Sequence, residues 1–300
     1  MTLSRSQLHA LADLATKAAQ EAGDYIATRR SSQVHVQHKA VGNSLASQVV
    51  TEVDHRSQAI LLQQLAPSLR AFNLALLTEE TPDDGGRLEK PAFWCLDPMD
   101  GTLAFIQDSL GFSVSIGLVA RDGEPLLGVV FDPVEGDLYR AVRGEGVFKN
   151  SHRMTLPALR RDQPLVLRTD LSFRTHPWVE QTQRQLHSLA EELGLPGAEI
   201  EYRVGAVMNA CKILGEANVC YFKYPRTSES GGSLWDYAAT ACLFRELGAV
   251  ACDIRGNALD LNRAGSTFMN HAGILYTSYP PLADKIIGLY QHLMITAGAE

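Results

Sequence analysis

Four short segments concentrate oxygen donors at positions where packing alone does not call for them. The first is Trp94-Cys-Leu-Asp97-Pro98-Met99-Asp100-Gly101-Thr102, an apolar run that ends in two aspartates. Proline removes a backbone donor and bends the chain. The expected turn places the Asp97 and Asp100 carboxylates and the Met99 carbonyl on one side, an oxygen set that hard divalent cations accept. Gly101 lets the backbone approach a ligand closely. The Gly101 and Thr102 amides would face a phosphate oxygen if a helix starts there. The same D-P-x-D-G pattern also serves as an ordinary Asx-type turn with solvated aspartates. The second segment, Leu77-Thr78-Glu79-Glu80, is a carboxylate pair at a strand end, or a solvated loop that continues into Asp83 and Asp84. In the third, Val49-Val50-Thr51-Glu52-Val53-Asp54, hydroxyl and carboxylate stand at helix-cap spacing. The fourth, Ser233-Leu-Trp235-Asp236-Tyr-Ala-Ala239, sets an aspartate at the head of an apolar helix, where capping is again the plain alternative.

Composition narrows what these segments serve. The 300 residues are 45% hydrophobic and 20% charged, the range of an ordinary globular chain with room for a large core. With 27 basic against 34 acidic residues the formal charge is -7, which argues against a nucleic-acid polymer as partner. The five cysteines contain no C-x-x-C pair and sit among apolar neighbours, so they read as reduced core residues of a cytoplasmic protein. The amino-terminal stretch lacks an apolar signal core, and the longest charge-free stretch, Ala264 to Ala283, is too polar to span a membrane. None of the nine histidines has a partner at metal-ligand spacing, and Gly144-Glu145-Gly146 reads as a tight turn rather than part of a dinucleotide fingerprint.

The elements that must position the donors follow from periodicity. A helix is predicted over Arg5–Ile26, a loop or hairpin over the Ser-rich stretch 31–47, and a second helix from Thr51 to near Pro67. Strands are predicted at Asn73–Leu77, Ala92–Leu96, Phe112–Ala120, Pro125–Phe131 and Asp137–Val142. Turns at Asp122-Gly123 and Glu135-Gly136 make the last three an antiparallel meander. Beyond Asn150, helices (Pro177–Leu193, Gly205–Leu214, Leu234–Leu247) alternate with strands (Leu165–Arg168, Val219–Lys223, Val250–Ile254, Gly273–Thr277), and a last helix covers Leu282–Leu293. The pattern describes one unit, residues 1–300, with an α+β half over about 1–155 and an α/β half over about 156–300.

Taken in order, the four segments resemble the inositol monophosphatase family, Mg²⁺-dependent, lithium-sensitive phosphomonoesterases. That family carries V-T-x-x-D, then G-E-E, then D-P-(I/L)-D-G-T, then W-D-x-A-A. Here these stand as Val50-Thr-Glu-Val-Asp54, Thr78-Glu79-Glu80, Asp97-Pro-Met-Asp100-Gly-Thr102 and Trp235-Asp236-Tyr-Ala-Ala239. Ser113-Val-Ser-Ile-Gly-Leu-Val and Gly128-Val-Val-Phe-Asp-Pro-Val are similar to the family's central strands, and the resemblance runs from about Lys39 to Gly256. It implies a layered αβαβα sandwich and two or three Mg²⁺ ions held by Glu79, Asp97, Asp100, Asp236 and the Met99 carbonyl. It further implies that Asp54 and Thr102, with Glu79 beside them, orient and deprotonate a water, and that the Gly101 and Thr102 amides hold phosphate.

Departures bear on substrate. Thr78 replaces the family's glycine, Met99 replaces Ile or Leu, and Gln48 stands where an acidic residue or Asn is usual. Lys39 lies further from Asp54 than the family's lysine does. The stretch 223–233 is longer than in the simple inositol enzymes. The expected substrate is a small phosphorylated metabolite, inositol monophosphate first. 3'-Phosphoadenosine 5'-phosphate is the alternative, because Arg174, Lys223 and Arg226 would hold a second phosphate. A non-catalytic metal- or phosphate-binding regulatory relative is the reading from another class. Family analogy adds a homodimer.

Overall fold

The computed structural model describes residues 3–30, 36–38, 49–227 and 232–297. Helix α1 (Arg5–Arg29) is opened by a capping box in which Ser4 and Gln7 satisfy each other's backbone amides. Its buried stripe of Ala12, Ala15, Ala18, Ala19 and Ala22 lets it lie close to its neighbours. Strands β1 (Val36–His38) and β2 (Val49–Thr51) pair antiparallel, in keeping with the hairpin expected around the Ser-rich stretch. Helix α2 (Glu52–Ala71) runs through Pro67 instead of ending there. One amide donor is lost, but the buried face continues to Ser68, whose hydroxyl donates to the Leu65 carbonyl at 2.6 Å and accepts from the Trp94 indole at 2.8 Å.

A seven-stranded sheet follows. Strand β3 (Ala75–Thr78) leads through a short helix, α3 (Gly86–Glu89), to β4 (Ala92–Asp100), which lies parallel to β3. After a one-turn helix, α4 (Thr102–Ile106), the meander comprises β5 (Ser113–Ala120), β6 (Pro125–Asp132) and β7 (Asp137–Val142). It then continues into β8 (Gly146–Lys149) and β9 (His152–Arg153), two short strands that periodicity did not reveal. The Gly144-Glu145 turn joins β7 to β8. Strand β4 is longer than expected: it passes through the D-P-M-D segment rather than ending at Leu96. Asp97 pairs with Ser115 and Asp100 with Ser113, and the register shifts between them, so Pro98 and Met99 occupy a bulge. A bulge is where a sheet tolerates a residue without an amide donor.

The second sheet holds five strands in the order β11-β10-β12-β14-β13. These are β10 (Leu165–Asp170), β11 (Ala198–Arg203), β12 (Val219–Lys223), β13 (Val250–Cys252) and β14 (Ile274–Thr277). Strand β10 runs parallel to β11 and β12, while β14 opposes β12 and β13. The edge strand β11 was hidden because Glu199 and Glu201 interrupt its apolar pattern. A 3₁₀ turn at Leu171–Thr175 follows β10. Helices α5 (Val179–Glu192), α6 (Ala206–Cys211), α7 (Leu234–Leu247) and α8 (Pro280–Ala297) complete the chain.

The layers follow from side-chain alternation. On β4, Trp94 and Leu96 pack under α1 and α2, while Phe93 and Cys95 pack against α7. On β12, Val219 and Tyr221 join that same middle layer, while Cys220 and Phe222 meet α5 and α8 on the outer side. The result is a five-layer αβαβα arrangement in which α6 and α7 sit between the sheets. Helix α7 lies tightly on the large sheet because Gly128 has no Cβ; one placed there would stand 2.3 Å from the Ala239 carbonyl oxygen. All five cysteines are buried and unpaired. Among the described residues no helix is long and apolar enough to cross a membrane.

Candidate metal and phosphate site

The carboxyl ends of β3, β4, β10, β11 and β12 converge with the amino ends of α6 and α7 around a cavity of about 380 Å³. Ligand sites of layered α/β folds commonly form at strand carboxyl ends. Glu79, Asp97, Met99, Asp100, Gly101, Thr102 and Asp236 all line it, so residues up to 157 positions apart in sequence share one wall. Asp97, Asp100 and Asp236 each offer an oxygen within 4.8 Å of the others.

Each side chain is aimed by local structure. The Asp97 carboxylate accepts from the Met99 amide at 3.0 Å, and Ser57 of α2 holds the Pro98 carbonyl at 2.7 Å, which fixes the bulge. Asp100 accepts from the Ala206 and Val207 amides at the start of α6, at 3.2 and 2.9 Å. Asp54 accepts from the Thr51 amide and hydroxyl at 2.7 and 2.6 Å through one oxygen, and from the Thr102 hydroxyl at 2.9 Å through the other. The Thr102 hydroxyl also lies 3.2 Å from the Met99 carbonyl oxygen. Asp236 accepts from the Ser233 amide. The capping alternative therefore holds for both Asp54 and Asp236: each closes a helix amino terminus.

Burial without a countercharge is costly for carboxylates. Asp54 and Asp236 are each pushed up to about 6. In both, desolvation acts first and the Glu79 charge adds to it; the Thr51 and Thr102 donors oppose it at Asp54, and the Ser233 amide and the Lys223 charge oppose it at Asp236. Asp100 is pushed well above the ordinary carboxylate range by burial and then by Asp236, against the two α6 amides. Acidic groups held this close, all presenting hard oxygen donors, fit a divalent cation of the magnesium type.

The opposite wall differs. Lys223 at the end of β12 pairs with Asp170 at the end of β10, 2.7 Å apart, and both line the cavity. Arg226 lines it too, and its guanidinium donates to the Ser172 hydroxyl at 3.0 Å. Arg174 does not line it; its guanidinium stacks over the Tyr202 ring at 4.8 Å, so the second-phosphate role expected of it has no geometric support. Tyr221 and Tyr224 are buried in the packing layers. Lys39 and residues 228–231 lie outside the described residues. Sequence reading missed Asp170, Arg203 and the 204–206 turn. The signal available was Gly205 just before an apolar stretch: it adopts φ +85°, and a Cβ there would stand 1.8 Å from the Gly111 carbonyl oxygen.

A second acidic group, Asp132, Glu135 and Asp137, stands at the β6–β7 turn. Lys212 already occupies it, 3.2 Å from Asp132 and 3.4 Å from Asp137 and also paired with Glu135, while Lys149 reaches Asp137 at 2.7 Å. It is an ion-pair network between α6 and the large sheet.

The inositol monophosphatase family model matches residues 7–293, and the chain belongs to that family. A curated relative from Haemophilus influenzae, named Nus factor SuhB, is 27% identical over 268 residues, which is 89% of this chain and 91% of the relative. Its Escherichia coli K12 counterpart of the same name is 26% identical over 249 residues, 83% and 87% of the two chains. Among solved structures, the extragenic suppressor protein suhB of Bartonella henselae superposes with a TM-score of 0.72 at 21% identity, covering 93% of this chain and 98% of its own. The inositol monophosphatase of Anabaena gives 0.67 at 22%, covering 95% and 96%. At these identities the structures speak for the fold.

Proposed function

We propose that the protein is a Mg²⁺-dependent phosphomonoesterase of a small phosphorylated metabolite, acting in the cytoplasm, with inositol monophosphate as the first substrate to test. The observation that carries this is the convergence of Asp97, Asp100 and Asp236 on one cavity wall beside the Asp54–Thr102 pair. Glu79, Asp97, Asp100, Asp236 and the Met99 carbonyl are the residues that would hold the cations. Bound there, such cations polarise phosphoryl oxygens and acidify a water. The protein's own part is orientation and proton handling. The Asp54 carboxylate, held by Thr51 and Thr102, is the group in reach of a proton on the Thr102 hydroxyl or on a water beside it. The Gly101 and Thr102 amides, at the start of α4, are the phosphate donors.

Arg226 and Lys223 on the opposite wall favour the second substrate reading, a bisphosphate such as 3'-phosphoadenosine 5'-phosphate. The Nus factor name of the curated relatives favours a non-catalytic regulatory role instead. Phosphate release from inositol 1-phosphate, 3'-phosphoadenosine 5'-phosphate, histidinol phosphate and fructose 1,6-bisphosphate, with and without Mg²⁺, separates the three. Mg²⁺-dependent release that Asp97→Asn abolishes is the expected result. An Asp97→Asn variant with full activity overturns the catalytic assignment, and no release from any substrate leaves the regulatory reading.

A further inference from the structure

Resting on the cation-binding reading above, we infer that Lys223 is a resident positive charge of the site that partly neutralises the carboxylate cluster and so weakens its hold on divalent cations. Strand alternation sets its direction. Val219 and Tyr221 on β12 face the middle layer, and Lys223 is the next residue of that face, turned toward α7 and the carboxylate wall. Its ammonium lies 5.8 Å from the Tyr221 ring and 5.7 Å from the Tyr237 ring, both buried, and 2.7 Å from Asp170. The aromatic faces and the aspartate hold a cation there in the charged state. Desolvation pulls the lysine down, but Asp170 and Tyr237 outweigh it, and the net displacement is upward.

The charge is not spent entirely on Asp170. The same ammonium lines one cavity with Asp100 and Asp236 and lies over the ring of Tyr237, the residue that follows Asp236 on α7. The carboxylates of Glu79, Asp97, Asp100, Asp170 and Asp236 therefore share their cavity with a built-in cation. A divalent ion arriving at Asp100 and Asp236 meets a like charge that a neutral residue at this position would not present.

The test titrates Mg²⁺ alone into metal-stripped protein and reads heat, not turnover. Lys223→Met should bind Mg²⁺ about tenfold tighter, the order expected when one fixed charge near a divalent ion is removed at a partly screened site. Lys223→Arg should restore wild-type affinity. Lys223→Met/Asp170→Asn removes one charge of each sign from that wall and should bind Mg²⁺ with close to wild-type affinity, while Asp170→Asn alone should bind it more weakly. Equal Mg²⁺ affinity in wild type and Lys223→Met overturns the inference while leaving the cation reading intact. So does an unchanged affinity accompanied by a raised KM, which would make Lys223 a substrate contact. Wild-type protein that takes up no Mg²⁺ overturns both.

Discussion

Stripping divalent cations from this protein should make its stability fall as the solution becomes less acidic. Asp54 and Asp236 each move from 3.8 to about 6 on folding. A shift of roughly 2 units corresponds to about 3 kcal/mol per group. The folded-state value lies above the unfolded one, so ionising either carboxylate disfavours the folded state. The stability each contributes is complete below about pH 4 and is lost as pH climbs through about 6. Both feel Glu79, so the two losses are interdependent, and the joint effect lies between about 3 and about 6 kcal/mol. Other groups run the opposite way: burial raises the Asp137 carboxyl, but Lys149, Asn150 and Lys212 lower it further. The clean quantity is therefore the difference between protein in Mg²⁺ and protein in EDTA. A bound cation replaces the proton, so this difference should be small near pH 5 and reach roughly 6–24 °C in Tm near pH 7.5, at about 2–4 °C per kcal/mol for a chain of this size. Thermal unfolding at a series of pH values in the two buffers measures it. A Mg²⁺-induced rise in Tm that is the same near pH 5 as near pH 7.5 would refute the reasoning, because the carboxylates would then not be exchanging protons for metal.

Three further outcomes follow from single contacts. Asp54→Asn removes a buried charge, so the metal-free protein should gain Tm near pH 7 while phosphate release falls by at least about a hundredfold, the usual worth of a positioned base; calorimetry and a phosphate assay on one preparation check both halves. Gly205→Ala places a Cβ 1.8 Å from the Gly111 carbonyl oxygen at a positive φ, and should cost about 2–4 kcal/mol in urea unfolding. Gln58 links the Thr78 hydroxyl at 2.7 Å to the Thr81 hydroxyl at 2.9 Å across the turn that carries Glu79 and Glu80, so Gln58→Leu should cost about 1–3 kcal/mol in unfolding and shrink the Mg²⁺-induced rise in Tm.

Elements dominated by one period were legible. The strand Val219–Lys223 and the helix Leu234–Leu247 have the bounds their patterns predict, because a continuous apolar run between polar or glycine boundaries leaves few alternatives. The elements that escaped reading are those whose stability comes from elsewhere. Strand β11 is an edge strand whose apolar pattern is broken by Glu199 and Glu201, the latter paired with Arg168 of β10, and α2 survives Pro67 through tertiary contacts that no local pattern encodes. The same division runs through the site. Asp97 and Asp100 announced themselves because carboxylates at the end of an apolar strand have no packing role. Asp170 gave no such signal: it is a single acidic residue at a strand end, and its partner Lys223 is 53 positions away. The placement of Arg174 was not legible either, since a basic residue in a polar stretch says nothing about which ring it will stack on.

Asp54 and Asp236 pose the sharper question of why a helix cap and a site carboxylate are the same residue, twice. A cap carboxylate accepts hydrogen bonds from backbone amides that cannot move without unwinding the helix, so its rotamer is fixed before any ligand arrives. Asp236 faces the cavity with its position set by Ser233, and Asp54 faces Thr102 with its position set by Thr51. The amide donors also hold part of the ionised form against burial, which leaves each carboxyl near about 6 and not higher. That value is useful in itself: the groups are ionised at neutral pH and available to a cation, yet close enough to neutrality for Asp54 to take up a proton. Capping and chemistry are thus not competing explanations of these two motifs. The hydrogen bonds that end the helices are the ones that aim and tune the carboxylates.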